Sequence, residues 1–268
     1  MNKLKNSLSS FRNFYICPMG NNEQQWGVIV NPNAGSGKCG KNWPIIQKLI
    51  KRSKIETEVV FTERKGHAIE LSMQLIQKGF YKLIVVGGDG TLNEVVNGIF
   101  RQEECSPDNI TLGMIPVGTG NDWCRTFQIP NKYIDAIKLI RDEKTVIQDI
   151  GLVDFHDKTI PNRHFANVAG IGFDATVAHA ANDLKDQGKG NALSYIIILL
   201  KTLLKYSSKH MHFSVGEKTY KERMFSIGVG IGKFNGGGMK QLPNAIANDG
   251  LFDITIIKKI TKWTVIKE

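Results

Sequence analysis

The chain is poor in several features that mark whole classes of protein. It has 4 cysteines in 268 residues. Cys17, Cys39, Cys105 and Cys124 form no CxxC pair and have no histidine beside them at metal-ligand spacing, so neither a disulfide framework nor a zinc site is expected. Its 8 prolines are few for a linker-rich protein. The longest apolar run, Ala192 to Leu204, is 13 residues long and is broken by Lys201. That is short of the ~20 residues a spanning helix needs. The first 25 residues carry Lys3, Lys5 and Arg12 but lack the apolar core and small-residue cleavage site of a signal peptide. They read as a loosely ordered extension, residues 1–25. A soluble, cytoplasmic protein is expected.

What is present begins with charge. Lys plus Arg number 35 against 25 for Asp plus Glu, a formal net charge of +10, while 41% apolar residues suffice for a packed core. Lys38, Lys41, Lys48, Lys51, Arg52 and Lys54 form a run with no acid among them. The chain carries no nucleic-acid-binding motif, so no nucleic-acid partner is expected. A solvated helix face and attraction to an anionic membrane surface remain as readings of the run.

The length fits one large or two small domains. In the first part, apolar runs alternate with helical patterns. Strands are expected at residues 26–31, 55–61, 82–86 and 110–115, and helices at 43–51, 68–78 and 93–100. That alternation predicts a parallel sheet wrapped by helices, residues 26–144. Beyond it, strand-like runs at 145–155, 163–173, 210–215, 223–232 and 250–257 predict a β-rich, mainly antiparallel second domain, residues 145–268. Helices near 175–181 and at 192–205 interrupt it, and the latter, apolar nearly all round, is expected to be buried, the alternative being that it lines the cleft or touches the bilayer with the help of Lys201, Lys205 and Lys209. The glycine-rich segment 232–238 reads as a mobile loop or a bulged turn.

Three loops in the first domain follow apolar strands, and in an open parallel sheet such strand ends share one ligand-binding edge. The first runs from Asn31 through Asn33, Gly35 and Gly37 to Lys38. Gly35, Gly37 and Gly40 spell GxGxxG, but Pro32 and a four-residue gap after the strand weaken a dinucleotide reading, even with Glu63 near the position of a ribose-binding acid. Cys39 in place of Ser or Thr defeats a Walker A reading. The loop is expected to cradle phosphate through its backbone N–H groups.

The second loop, Gly87-Gly88-Asp89-Gly90-Thr91, leads into a helix beginning near Leu92, Asn93 and Glu94. A helix N-terminus suits phosphate. An aspartate there would repel a bare phosphate and makes sense with Mg²⁺ between them. The simpler alternative is that Asp89 or Thr91 caps the helix. The third loop, Pro116-Val117-Gly118-Thr119-Gly120-Asn121-Asp122, adds a second acid. Two acids and three such loops describe a magnesium-nucleotide site for phosphoryl transfer. Gly35, Gly37, Gly88, Gly90, Thr91 and Thr119 would position phosphates. Asp89 and Asp122 would manage the metal and the developing charge.

GGDGT at 87–91, NPNAGSGK at 31–38 and PVGTGND at 116–122, in this order, resemble the catalytic domain of the diacylglycerol kinase and sphingosine kinase family, especially its small soluble bacterial lipid kinases. GGDGT is shared with NAD kinases, and the neighbouring PVGTGND favours the lipid kinases. The resemblance covers most of the chain from about Trp26. It implies an NAD-kinase-like first domain and transfer of phosphate from ATP, with Mg²⁺, to the hydroxyl of a diacylglycerol-like lipid. It implies nucleotide contacts at Thr62 and in all three loops, including Asn31, Asn33, Lys38, Gly87, Asn93, Glu94, Gly118, Gly120 and Asn121. It also implies a structural Mg²⁺ held by Asp249 and the carbonyls of Ile246 and Leu251, where the residues alone read as a turn before a strand.

The resemblance further implies a DGE-type segment whose glutamate would serve as general base for the lipid hydroxyl. No DGE occurs here, so the second domain is expected to be cut short and the chain to bind ATP yet transfer phosphate poorly. Alternatives are an NAD kinase and a catalytically impaired nucleotide-binding module. The partner implied is a lipid at the inner membrane face. The oligomeric state is open, a homodimer included.

Overall fold

The structure, a computed structural model, describes residues 4–5, 25–186 and 192–262. The described residues fall into two compact units. Among them, the larger draws on residues 25–166 with Gly236–Gly238, and the smaller on residues 4–5, 167–186, 192–235 and 239–262. The first element, the two-residue strand β1 (Leu4–Lys5), belongs to the smaller unit. The rest of the expected N-terminal extension, Cys17 included, lies outside the described residues.

The larger unit is a doubly wound α/β layer. It runs β2 (Trp26–Val30), α1 (Lys38–Arg52), β3 (Thr57–Phe61), α2 (His67–Gln77), β4 (Lys82–Gly87), α3 (Asp89–Ile99) and β5 (Thr111–Pro116). The short α4 (Asp122–Thr126) and α5 (Tyr133–Arg141) follow, then an antiparallel hairpin of β6 (Gly151–Val153) and β7 (Arg163–Phe165). The four strands are parallel in the order β3-β2-β4-β5. Helices cover both faces, which is why these strands read as continuous apolar runs. Ile29, Leu83 and Val85 pack with Leu71, Leu75, Val95 and Val96 of α2 and α3 on one side. Val28, Val30, Ile84 and Val86 pack with Ile46 and Ile50 of α1 and Ile137 of α5 on the other. Each such aliphatic side chain contributes about 1.5–3 kcal/mol when fully buried.

Helix α1 begins at Lys38, five residues before the expected start at Trp43. It carries Pro44 inside it and opens from Gly37 at φ 82°. The hairpin is held to α3 by side chains: Asn97 accepts from the His164 N–H at 3.0 Å and donates to the His164 carbonyl at 2.9 Å. The His164 ring stacks on Phe100 with centroids 4.4 Å apart. Burial, with the charge of Arg101 adding, holds its pKa below the ordinary histidine range. Residues 145–166, read from sequence as the opening of the second domain, thus lie in the larger unit. Of the strand-like run 145–155, only Gly151–Val153 forms a strand.

The smaller unit is an antiparallel sheet with two helices. Its elements are β8 (Val168–Gly172), α6 (Phe173–Asp186), α7 (Ala192–Lys205), β9 (Lys209–Val215), β10 (Lys218–Gly230) and β11 (Leu251–Lys258). The strand order is β1-β11-β10-β8, with β9 paired to the first half of β10. Phe173, Val177 and Ala181 of α6, Ile198 and Leu203 of α7, and Phe225 of β10 form its core.

The expectation of a buried α7 does not hold. Ile196, Ile197, Leu200 and Leu204 are 52%, 44%, 45% and 63% exposed. Their positions repeat at helical spacing, so they form one apolar face, while Ile198 and Leu203 point to the core. Among the described residues no helix is long and apolar enough to cross a membrane.

Candidate functional site

The order β3-β2-β4-β5 reverses direction at β2, since the chain leaves β2 to one side for β3 and returns on the other for β4. Such a switch point opens a crevice at the carboxyl ends of the strands. Asn31 stands there. Its backbone N–H donates to the Val86 carbonyl at 3.0 Å, and its side-chain amide donates to the Thr91 hydroxyl at 2.9 Å. Its Oδ1 accepts from the Asn33 N–H at 3.0 Å. Thr62 ends β3 at the same edge, buried, with its N–H on the Val30 carbonyl.

The first loop is wound tighter than a phosphate cradle requires. The N–H groups of Ala34, Gly37, Lys38, Cys39 and Gly40 all donate to carbonyls within residues 31–35. The glycines serve the fold of the loop: Gly35 has φ +61°, and a β-carbon on it would sit 2.3 Å from the Val117 carbonyl oxygen. Gly35 thus brings the first loop against the third. Lys38 stands exposed at the start of α1.

The second and third loops meet through their backbones. Val117 and Gly118 donate to the Gly87 carbonyl at 2.7 and 3.1 Å. A β-carbon on Gly118 would meet the Gly88 α-carbon at 2.5 Å, and one on Gly88 would meet the Gly118 α-carbon at 2.9 Å. No side chain caps α3. Its first turn, from Asp89 through Gly90 to Thr91, therefore has N–H groups suited to an anion. Asp89 caps a different helix, its Oδ1 accepting from the Trp123 N–H at 3.0 Å in the first turn of α4. Thr119 is exposed.

The two acids converge on Gly120. A β-carbon there would lie 3.0 Å from Asp89 Oδ2 and 3.5 Å from Asp122 Oδ2. Asp122 is buried, and its Oδ2 accepts from the Gly237 N–H at 2.8 Å. Its Oδ1 and the neighbouring Asn121 Oδ1 are buried without a hydrogen bond. The Arg125 Nε stands 3.7 Å from Asp122 Oδ1, too far for one. Burial raises the Asp122 pKa and the charge of Asp89 adds to the rise, against the N–H groups of Gly237 and Gly238 and the charge of Arg125. The buried thiols of Cys39 and Cys124 are pushed up to about 11 and about 12, so neither is a nucleophile near neutral pH.

Two of the expected contacts have scaffold tasks instead. The Glu94 carboxylate accepts from the N–H groups of Gly66 and Ala68 at 2.9 and 3.3 Å, covering the start of α2. Asn93 donates to the His164 carbonyl at 3.2 Å. In the smaller unit, Asp249 Oδ1 accepts from the Leu251 N–H at 3.1 Å and Gly250 has φ +70°, a side-chain-stabilised turn before β11. Ile246 is 47% exposed. The turn accounts for Asp249, and no step below depends on a metal there. Reading the sequence missed α4, Arg125 and the contact from Gly237. The contact spans 115 residues, beyond any local pattern.

Residues 25–153 match the diacylglycerol kinase catalytic domain, and residues 167–268 match the YegS C-terminal NAD kinase beta sandwich-like domain. A Bacillus subtilis protein named as a lipid kinase, YtlR, is 34% identical over 253 residues, covering 87% of this chain and 77% of that protein. The chain belongs to the diacylglycerol kinase catalytic-domain family. A diacylglycerol kinase of Staphylococcus haemolyticus is 29% identical over 232 residues, covering 87% of this chain and 67% of that protein. The crystal structure of a diacylglycerol kinase from Bacillus anthracis superposes with a TM-score of 0.65 at 25% identity, over 91% of this chain and 77% of that one. The parallel sheet followed by an antiparallel domain is thus the architecture of this lipid kinase family.

Proposed function

We propose that the chain transfers the γ-phosphoryl group of Mg-ATP to the hydroxyl of a diacylglycerol-like lipid. The observation that carries this reading is the convergence of Asp89 and Asp122 on Gly120, beside the free first turn of α3 and at the switch point of the sheet. Phosphoryl transfer requires positioning and charge neutralisation more than covalent help from the protein. Asp89 and Asp122 fit a divalent cation, because Asp122 Oδ1 is a buried acceptor with no hydrogen bond. Mg²⁺ arriving with ATP would neutralise charge on the phosphate oxygens.

In the reaction the lipid hydroxyl oxygen forms a bond to the γ-phosphorus while the bond from that phosphorus to the ADP oxygen breaks. The hydroxyl proton passes to solvent water, the sequence carrying no DGE-type glutamate to receive it. The N–H groups at the start of α3 bind phosphate, and the Asn31 to Thr91 hydrogen bond orients the loop that carries them. Gly88 and Gly118 keep the second and third loops at backbone contact, which fixes Asp89 relative to Asp122.

A dispersed lipid is reached from a membrane surface, and two features support peripheral attachment at an anionic inner face. Lys38, Lys41, Lys48 and Arg52 recur at three-, four- and seven-residue steps along α1, with Ile45, 58% exposed, among them. In the smaller unit the apolar face of α7 is accompanied by exposed Lys201 and Lys205. The test is Mg²⁺-dependent transfer of γ-labelled phosphate from ATP to lipid hydroxyls in mixed micelles. Labelled lipid supports the reading, and labelled NAD with unlabelled lipid overturns it.

A further inference from the structure

The tri-glycine segment Gly236–Gly238 is left without a task by the three nucleotide loops, yet it is the most constrained backbone near the acids. Its residues have φ values of 65°, 88° and 114°, all in the region that favours glycine. Asn235 and Met239 exchange hydrogen bonds at 2.9 and 3.0 Å, so the three glycines are the tip of a bridged loop. A bulged turn would explain the glycines but not their partner. The Gly237 N–H donates to Asp122 Oδ2 at 2.8 Å. Successive glycine N–H groups turned to one side form an anion-binding concavity. The anion here is an aspartate of the chain itself.

We propose that the Gly236–Gly238 tip is a positioning element for phosphoryl transfer, anchoring Asp122 Oδ2 so that Asp122 Oδ1 is the oxygen left for the chemistry. This rests on the kinase reading above and deepens it. Three observations converge. Asp122 Oδ2 is held by the tip, whereas Oδ1 is buried without a hydrogen bond. A β-carbon on Gly237 would meet no atom within 4 Å, so space is not what demands glycine there; the backbone conformation is. A β-carbon on Gly238 would press at 3.4 Å on the Arg125 guanidinium, so the tip is seated between Arg125 and Asp122. An unanchored carboxylate rotates about its last bond and exchanges its two oxygens. The anchored one presents a single oxygen in one place, the kind of preorganisation that serves a transition state more than ground-state binding.

The test uses the full chain in two arms. In the first, the chain is labelled with ¹⁵N-glycine and amide hydrogen exchange is followed at Gly237 without nucleotide. Exchange is expected to be slow in the wild type, roughly tenfold or more faster in Asp122→Ala, and close to wild type in Asp122→Asn, which keeps an acceptor oxygen. Equal exchange in all three overturns the proposal. This arm needs no catalytic activity, so it stands apart from failure of the kinase reading itself.

In the second arm, Gly237→Ala is compared with Asp122→Ala and with the double variant in the lipid-labelling assay. Gly237→Ala is expected to lower kcat with little change in KM for ATP, and the double variant to be no slower than Asp122→Ala alone. A rise in KM with unchanged kcat, or additive losses in the double variant, overturns it.

Discussion

The Asn31 side-chain amide lies 2.9 Å from the Thr91 hydroxyl and joins the end of β2 to the first turn of α3 across 60 residues of chain. Thr91 is only 5% exposed, so water cannot replace the bond. Thr91→Val keeps the shape but leaves the amide with one donor unpaired. A loss of about 1–3 kcal/mol in stability is expected, with weaker ATP binding. Asn31→Ala combined with Thr91→Val should cost less than the sum of the single changes, because the second removes a partner already lost. Urea denaturation of the four proteins measures this.

Gly35 and Gly37 separate two reasons for a glycine. Both have positive φ, 61° and 82°, but a β-carbon on Gly35 would strike the Val117 carbonyl at 2.3 Å, whereas one on Gly37 would meet nothing within 4 Å. Gly37→Ala carries only the cost of a left-handed residue, about 1–2 kcal/mol. Gly35→Ala adds a backbone collision that pushes the first loop off the third. Its thermal midpoint should fall further, and its ATP affinity should fall more than that of Gly37→Ala. Calorimetric melting and nucleotide titration of both variants decide it.

Asp89 couples a structural bond to the charge proposed for catalysis, and two substitutions separate them. Asparagine keeps an oxygen for the Trp123 N–H, now at 3.0 Å from Oδ1. Asp89→Asn should hold wild-type stability, while Asp89→Ala loses the cap of α4, about 1 kcal/mol. Both should lose roughly a hundredfold or more in phosphoryl transfer, because both lose the carboxylate charge proposed to meet a divalent cation. Activity retained in Asp89→Asn would remove this carboxylate from the chemistry.

The parallel sheet was legible because burial on both faces leaves an unbroken apolar run, as in Trp26–Val30 and Lys82–Gly87. The loops were legible because glycine and aspartate cluster where strands end. What they do was less so. The first loop was read as offering N–H groups to phosphate, yet five of them are used by its own carbonyls. Local sequence shows that a backbone can bend, not where its donors go. The hairpin of β6 and β7 was assigned forward into the second domain, because its attachment to α3 rests on Asn97 and His164, 67 residues apart. For a related reason the sequence leaves burial and an exposed apolar face both open for α7, and the structure has the exposed face. A helix apolar all round signals burial only when enough chain surrounds it, and the pattern of α7 alone does not show that.

His164 provides a pH dependence away from the acids. Its folded pKa lies below the ordinary value of 6.5 because burial disfavours the imidazolium, with Arg101 adding to it. The unfolded chain therefore takes up a proton at a higher pH than the folded chain. Stability from this residue is complete above about pH 6.5 and declines as pH falls below it. Denaturation midpoints between pH 7.5 and 5.5 should fall with decreasing pH, and His164→Gln should show a shallower slope. Identical slopes would mean that other groups set the acid sensitivity.

Attachment to a membrane should divide into a salt-sensitive and a salt-insensitive part, because the two candidate faces differ in kind. Along α1 the attraction is ionic, each basic residue near an anionic lipid contributing about 1 kcal/mol. Lys41→Glu, Lys48→Glu and Arg52→Glu together should weaken sedimentation with vesicles of anionic phospholipid at low salt and leave the remaining binding insensitive to salt. The same vesicles should release the wild type progressively as salt rises. On α7 the exposed Ile196, Leu200 and Leu204 would contribute by burial of apolar surface. Serine at those three positions should weaken binding to the same extent at low and high salt, while the thermal midpoint stays near wild type because none of the three packs in the core. Vesicle sedimentation of both triple variants across a salt series resolves the two contributions. Binding untouched by either set would place the membrane-facing surface elsewhere on the chain.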